Sequence, residues 1–156
     1  MYDKLLVLTY RIESNPIFSA IRKGFMLIIP VVITGSLALL ILNFPFAFLQ
    51  DFLANFLGGA LRSLFLCIYD ATIGFMSLYL VLSISFYFSD AFSAQSTSLQ
   101  VIAMFTSAAC FVASFGGSEA NGGSIQIGSF GTAGIFTAIV CAISATALFF
   151  ALDLRI

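Results

Sequence analysis

The sequence predicts an all-α polytopic membrane protein with about four transmembrane helices and additional amphipathic helices at the membrane surface. Of the 156 residues, 61% are hydrophobic and only 8% are charged, and the mean hydropathy is +1.12. These values lie outside the range of soluble domains. Four apolar runs are each long enough to cross roughly 30 Å of hydrocarbon as a helix. Helices are required there because an open strand edge leaves backbone groups unpaired in lipid.

The apolar runs divide the chain into a lead-in and a membrane domain. Residues 1–24 are predicted to form an amphipathic cytoplasmic or interfacial lead-in, and residues 25–156 the membrane domain. The predicted spans lie at about 25–42, 64–88, 99–115 and 132–152. The third span contains Gln100 and Ser107, so it must be shielded by neighbouring helices or face a polar cavity.

Local signals mark several helix ends. Asn15 and Pro16 are typical of a helix cap followed by the first helical position. Pairs of apolar residues recur every four positions over residues 48–57, which predicts an amphipathic helix at the interface between the first two spans. The glycines at positions 58 and 59 are expected to end it.

The distribution of cations predicts the orientation. Arg62 would lie outside if the N-terminus were cytoplasmic, and every other Lys or Arg would lie inside: Lys4, Arg11, Arg22, Lys23 and Arg155. The positive-inside rule therefore predicts that both termini are cytoplasmic.

The composition argues against several classes of function. The chain has no histidine, no clustered carboxylates and no nucleophile placed beside a base, so no catalytic residue, metal site or cofactor is predicted. Cys67, Cys110 and Cys141 lie in apolar runs and are interpreted as small packing residues. The net charge is −1 with a single basic pair, which does not favour nucleic-acid binding. The bilayer itself is the first expected partner.

Asp70 is the most informative polar residue, because a carboxylate inside an apolar run is a functional candidate. Two interpretations stay open. Asp70 could cap the following helix at the interface, or pair there with Arg62; alternatively, it faces a polar cavity. Gln100 and Glu119 are further candidates for a polar cavity or interface.

Pro30, Gly35 and Ser36 weaken the first span and offer small surfaces for close helix packing. Packing at a subunit interface is favoured over direct ligand contact. Residues 116–134 hold seven of the 12 glycines, but this loop lacks the lysine and the preceding strand of a phosphate loop. A tight connection between spans is predicted instead.

Three motifs occur in order along the chain. The first comprises "IRKGF", Pro30, the Gly35–Ser36 pair and "NFP"; the second is "DATIG" at residues 70–74; the third is "GTAGIFTAI" at residues 131–139. Together they resemble the first half of the membrane-embedded IIC subunit of phosphotransferase-system (PTS) sugar permeases, in the lactose/cellobiose (type 3) branch. That family commonly has Asn where this chain has Asp70.

The resemblance implies a homodimeric domain in the bacterial plasma membrane that binds a disaccharide, with phosphorylation of the sugar by a partner subunit IIB. The sugar-binding His and Glu of the family lie in its second half, which this chain does not contain. The amphipathic lead-in, "MYDKLLVLTYRIESNPIFSAIRKGF" at residues 1–25, is also similar to that of IIC-like sensory or anchor domains of signalling proteins, which are fused to a cytoplasmic cyclic-di-GMP cyclase or phosphodiesterase. A transport domain, which is favoured, a sensory or anchor domain, and a small membrane protein of another function therefore remain as alternatives.

Overall fold

The computed structural model describes residues 15–55, 59–92, 97–115 and 130–153, and every regular element within these ranges is a helix. The elements are α1 (Pro16–Leu42), α2 (Ala47–Asn55), α3 (Ala60–Thr72), α4 (Met76–Ser89), α5 (Thr97–Phe115), a 3-10 turn (Thr132–Gly134) and α6 (Ile135–Asp153). Four segments are long and apolar enough to cross a membrane: Pro16–Leu42, Ala60–Ser89, Thr97–Phe115 and Thr132–Leu152. The predicted fold class is confirmed.

Helix α1 begins where the sequence predicts. The Asn15 side chain accepts a hydrogen bond from the Ile17 amide at 3.1 Å, and Pro16 occupies the first turn. The helix continues past residue 24 without a break, so the described part of the lead-in runs straight into the first span; residues 1–14 lie outside the described residues. Pro30 does not interrupt the helix, and the Thr34 hydroxyl donates to the Pro30 carbonyl at 2.9 Å.

The short helix α2 is tied to the end of α1. The Gln50 side-chain amide donates to the carbonyls of Leu42 at 2.8 Å and Phe44 at 3.1 Å. Phe48 and Phe52 remain exposed, as expected for a helix that places apolar side chains in the membrane interface. The chain then enters α3 through Gly59, whose φ of 83° is a left-handed conformation that favours glycine.

The predicted second span is interrupted at residues 73–75, here called the helix break. The amides of Ile73 and Gly74 both donate to the Tyr69 carbonyl, at 2.9 and 3.3 Å, which closes α3 in a tight turn. A Cβ at Gly74 would lie against the Asp70 carbonyl and 3.1 Å from its carbon. The break therefore depends on a glycine at this position, because any side chain would collide with the preceding turn.

Helix α1 packs antiparallel against α3 and α4 through two glycines. A Cβ at Gly24 would be 2.7 Å from Ile84 Cγ1 in α4, and a Cβ at Gly35 would be 2.8 Å from Ile73 Cγ1 and would meet the Thr72 hydroxyl. The two glycines allow the backbone of α1 to approach its neighbours closely. The close contact at Gly35 is therefore with helix α3 and the helix break of the same chain, whereas the sequence favoured packing at a subunit interface.

Helices α5 and α6 cover the other side of α4. The Ser77 hydroxyl donates to the Phe130 carbonyl just before α6, and Phe92 stacks on Phe150 at 5.3 Å beyond the far end of α4, so α4 and α6 run parallel. The hydroxyls of Ser107 in α5 and Thr146 in α6 lie 3.1 Å apart in the core. Ser107 of the third span is thus shielded by a neighbouring helix, and Gln100 is buried as well.

The core lies around α4. Its buried members come from α1, α4, α5, the segment before α6, and α6: Ile28, Leu80, Val81, Ile84, Phe111, Phe130, Ala138 and Ala142.

Two of the three cysteines do not pack inside this core. Cys67 and Cys110 are exposed on the helical surface and Cys141 is half-buried, so their interpretation as packing residues is wrong for the first two, which lie on the outward faces of α3 and α5.

Candidate functional site

The three sequence motifs meet at the helix break. Gly35 of the first motif packs against Thr72 of the second. Between α3 and the 3-10 turn lies a cleft of about 540 Å³, here called the break cleft. It is lined by Tyr69, Asp70, Ile73, Gly74, Phe75, Gly131, Thr132 and Ala133. Its walls therefore come mainly from the second and third motifs. The first motif contacts the residues of the second through Gly35.

The backbone at the end of α3 is hydrogen-bonded by nearby side chains. The Thr72 hydroxyl donates to the Ile68 carbonyl at 2.7 Å, and the Tyr79 hydroxyl donates to the Ala71 carbonyl at 2.9 Å. A helix end in a membrane needs such partners, because unpaired carbonyls are costly in lipid. Thr72 and Tyr79 thus stabilise the interruption.

Asp70 lies in the last turn of α3, exposed along the break cleft. The interpretation of Asp70 as a cap of the next helix is wrong, because α3 continues through Asp70 and the residue that precedes α4 is Phe75. Within the described ranges, no ion pair joins Asp70 to Arg62, and no hydrogen bond reaches its carboxylate. Asp70 is therefore available to a molecule in the cleft.

An aromatic cluster anchors one wall of the cleft. The ring of Phe130 lies 6.1 Å from that of Phe75, 5.8 Å from that of Phe111 and 5.8 Å from that of Phe115. The Ser77 hydroxyl holds the Phe130 carbonyl from α4. These contacts fix the chain immediately before Gly131, so the segment that carries Thr132 is held on a rigid core.

Gln100 lies at the other end of the bundle. Its side chain is buried and its amide donates to the Asp90 carboxylate at 3.2 Å. Nearby on the cytoplasmic side of the predicted topology, the Lys23 ammonium lies 5.7 Å from the centre of the Tyr87 ring. Gln100 and Asp70 therefore do not share a site. The third candidate, Glu119, lies outside the described residues.

The packing candidates of α1 occupy different positions. Gly35 is buried against the helix break, whereas Pro30 and Ser36 are exposed. The Ser36 hydroxyl donates to the Val32 carbonyl one turn back, at 2.6 Å. Of the three, only Gly35 supports the site.

Sequence reasoning did not select Tyr69 or Thr132, although both line the break cleft. Two signals could have identified them: Thr132 belongs to the third motif, and Tyr69 is the residue directly before Asp70. Gly24 was also missed as a packing residue. Its spacing of four from Ala20, which is buried as well, is the small-residue pattern of closely packed membrane helices.

The chain is similar along nearly all of its length to two proteins of Bacillus subtilis (strain 168). The lichenan permease IIC component is 29% identical over 157 residues, which cover 94% of this chain and 34% of that protein. The putative permease IIC component YwbA is 26% identical over 156 residues, which cover 96% and 35%. The chain thus spans about a third of the length of these relatives. No family profile and no solved structure matches it.

Four apolar helical segments define the class of this chain as a multi-pass membrane domain, and its two relatives make it similar to permease IIC components. More particularly, the chain resembles the N-terminal half of subunit IIC of PTS sugar permeases. Both relatives confirm the resemblance to subunit IIC that its three motifs indicate, and the assignment to the type 3 branch stays a prediction.

Proposed function

We propose that this domain takes part in the translocation of a disaccharide by a type 3 PTS permease, coupled to phosphorylation of the sugar by a partner subunit IIB. The observation that carries the proposal is the convergence of the three motifs at the helix break. Motifs that lie far apart along the chain surround one point, which is expected when they serve a common purpose.

A discontinuous helix suits a transport domain. Irregular backbone at membrane depth is tolerated where it is buried in protein or lines a polar cavity. In transporters, interrupted helices commonly form substrate sites near the junction of two structural units. The break between α3 and α4 fits both statements. The Ile68 and Ala71 carbonyls at the end of α3 accept hydrogen bonds from side chains, and a cleft opens beside the break.

The predicted orientation places the break cleft away from the cytoplasm. Arg22 and Lys23 lie at the cytoplasmic end of α1 in this orientation, and Gly35, beside the break, lies three turns further along the helix. A sugar that enters from outside the cell would reach a cleft on this side of the membrane before it is phosphorylated. We further propose that the domain is a homodimer, as the family resemblance implies.

The proposal is tested by disrupting the gene in its own host and measuring phosphoenolpyruvate-dependent phosphorylation of cellobiose in permeabilised cells. Cellobiose phosphorylation should be lost and restored by the intact gene supplied on a plasmid. Fructose phosphorylation serves as the control and should not change, because fructose is not a disaccharide. Unchanged phosphorylation of cellobiose, lactose and gentiobiose would contradict the proposal. If disruption instead changed only the cyclic-di-GMP level, the sensory alternative would replace it.

A further inference from the structure

The break cleft holds polar side chains that the fold does not use. Within the part of the chain that the structure describes, no hydrogen bond or ion pair involves the side chains of Asp70, Tyr69 or Thr132. By contrast, the hydroxyls of Thr34 and Ser144 donate to a carbonyl one turn back, although both are exposed. A carboxylate and two hydroxyls thus line one cleft without a partner among the described residues.

The cleft combines these polar groups with apolar rings. Phe75 and the ring of Tyr69 contribute aromatic surface, and Gly74 and Gly131 leave backbone accessible where a side chain would fill space. The volume of about 540 Å³ lies within the range of small-molecule sites, roughly 300–1,000 Å³. Hydroxyl donors and an apolar ring face are together the chemical character of a neutral sugar.

We propose that the break cleft is a binding subsite for an unphosphorylated saccharide. The Asp70 carboxylate accepts hydrogen bonds from sugar hydroxyls, which are strong because the acceptor is charged. The Thr132 hydroxyl makes a further hydrogen bond, and the rings of Tyr69 and Phe75 cover the apolar face of the sugar. The assignment of a saccharide rests on the proposed function.

Electrostatics exclude the phosphorylated sugar from this subsite. No Lys or Arg is among the residues that line the cleft. Asp70 is a negative charge, and it lies at the C-terminal end of α3, where the helix dipole is also negative. A phosphate group would be repelled by both. The subsite therefore selects the substrate over its phosphorylated product.

Direct binding tests this inference. The purified chain, reconstituted in lipid nanodiscs, is titrated with cellobiose, and saturation-transfer NMR reports the Kd. We expect Asp70→Leu to raise the Kd about 10-fold or more, consistent with loss of hydrogen bonds to a charged group. Asp70→Asn should retain part of the affinity, because an amide oxygen still accepts. Thr132→Val is a second variant on the opposite wall and should raise the Kd about 3- to 10-fold.

Asp51→Asn is the matched control, because it removes an exposed carboxylate on α2 outside the cleft, and it should leave the Kd unchanged. Circular dichroism and gel filtration establish that each variant folds. For the wild-type chain, glucose should bind at least 10-fold more tightly than glucose 6-phosphate, and this ratio should fall in Asp70→Asn. The absence of cellobiose binding by the wild-type chain, or an equal Kd for wild type and Asp70→Leu, would overturn the inference.

The cell assay separates this inference from the proposed function. Cells disrupted in the gene and complemented with Asp70→Leu should phosphorylate cellobiose with a KM raised about 10-fold. If disruption abolishes phosphorylation but Asp70→Leu restores it with the wild-type KM, the result supports the transport function and contradicts the subsite. If the chain binds cellobiose but disruption leaves phosphorylation unchanged, the subsite stands and the transport function falls.

Discussion

Gly35 is the residue at which α1 has least room for a side chain beside the helix break. A Cβ there would be 2.8 Å from Ile73 Cγ1 and would meet the Thr72 hydroxyl. We expect Gly35→Ala to lower the free energy of unfolding by about 1–3 kcal/mol, the usual effect of overpacking. Equilibrium unfolding of the purified chain in mixed micelles by sodium dodecyl sulfate measures this difference.

The effect at Gly35 should depend on its neighbour. Adding Thr72→Ala removes the hydroxyl in the way, so the double variant should recover part of the lost stability relative to the sum of the two single variants. Leu37→Ala, at an exposed position two residues further along α1, is the control and should have a small effect. Strict additivity of Gly35→Ala and Thr72→Ala would show that the two residues do not contact each other.

At the scale of elements, the junction of α3 and α4 depends on side chains that pair its carbonyls. The Tyr79 hydroxyl donates to the Ala71 carbonyl from one turn beyond the break, at 2.9 Å. Tyr79→Phe should therefore lower the free energy of unfolding by about 1 kcal/mol, since it leaves an acceptor unpaired. The amide of Ile73, which closes the same turn, should exchange its hydrogen faster in this variant.

Tyr87→Phe is the matched control for this experiment. It removes a hydroxyl from the same helix at a position where the described residues offer no hydrogen-bond partner, and the ring that faces Lys23 is retained. Its stability should stay within about 0.5 kcal/mol of the wild type. Equal losses for Tyr79→Phe and Tyr87→Phe would mean that the bond across the junction contributes nothing specific.

At the scale of the whole molecule, the orientation in the membrane is the property to measure. In a variant without native cysteines, a single cysteine at Asp51 should react with a membrane-impermeant maleimide in intact cells. A single cysteine at Asn15 should react only after permeabilisation. Both positions are exposed in the structure, so the difference between them reports the side of the membrane. The reverse pattern would mean that the cations do not set the topology.

Much of the fold was predictable because membrane helices are determined by local composition. A run of apolar residues has to be helical in lipid wherever it lies in the chain, so four spans followed from the sequence, as did the cap formed by Asn15. The interruption of the second span was not predictable by the same argument. Hydropathy continues through residues 73–75, and a single glycine in an apolar run occurs in uninterrupted membrane helices as well.

The candidate site was likewise predictable only in part. Asp70 and Gln100 were both recognisable as polar residues in apolar surroundings, but the structure places them at opposite ends of the bundle. Thr132 joins Asp70 only because α6 runs parallel to α4 and Phe130 is held by Ser77. The sequence by itself determined three properties: that the chain lies in a membrane, that it is helical, and that it resembles a permease. These depend on composition and on residues close together in the chain. Only the tertiary structure decided which polar groups share a cleft, because that depends on how helices distant in sequence pack against each other.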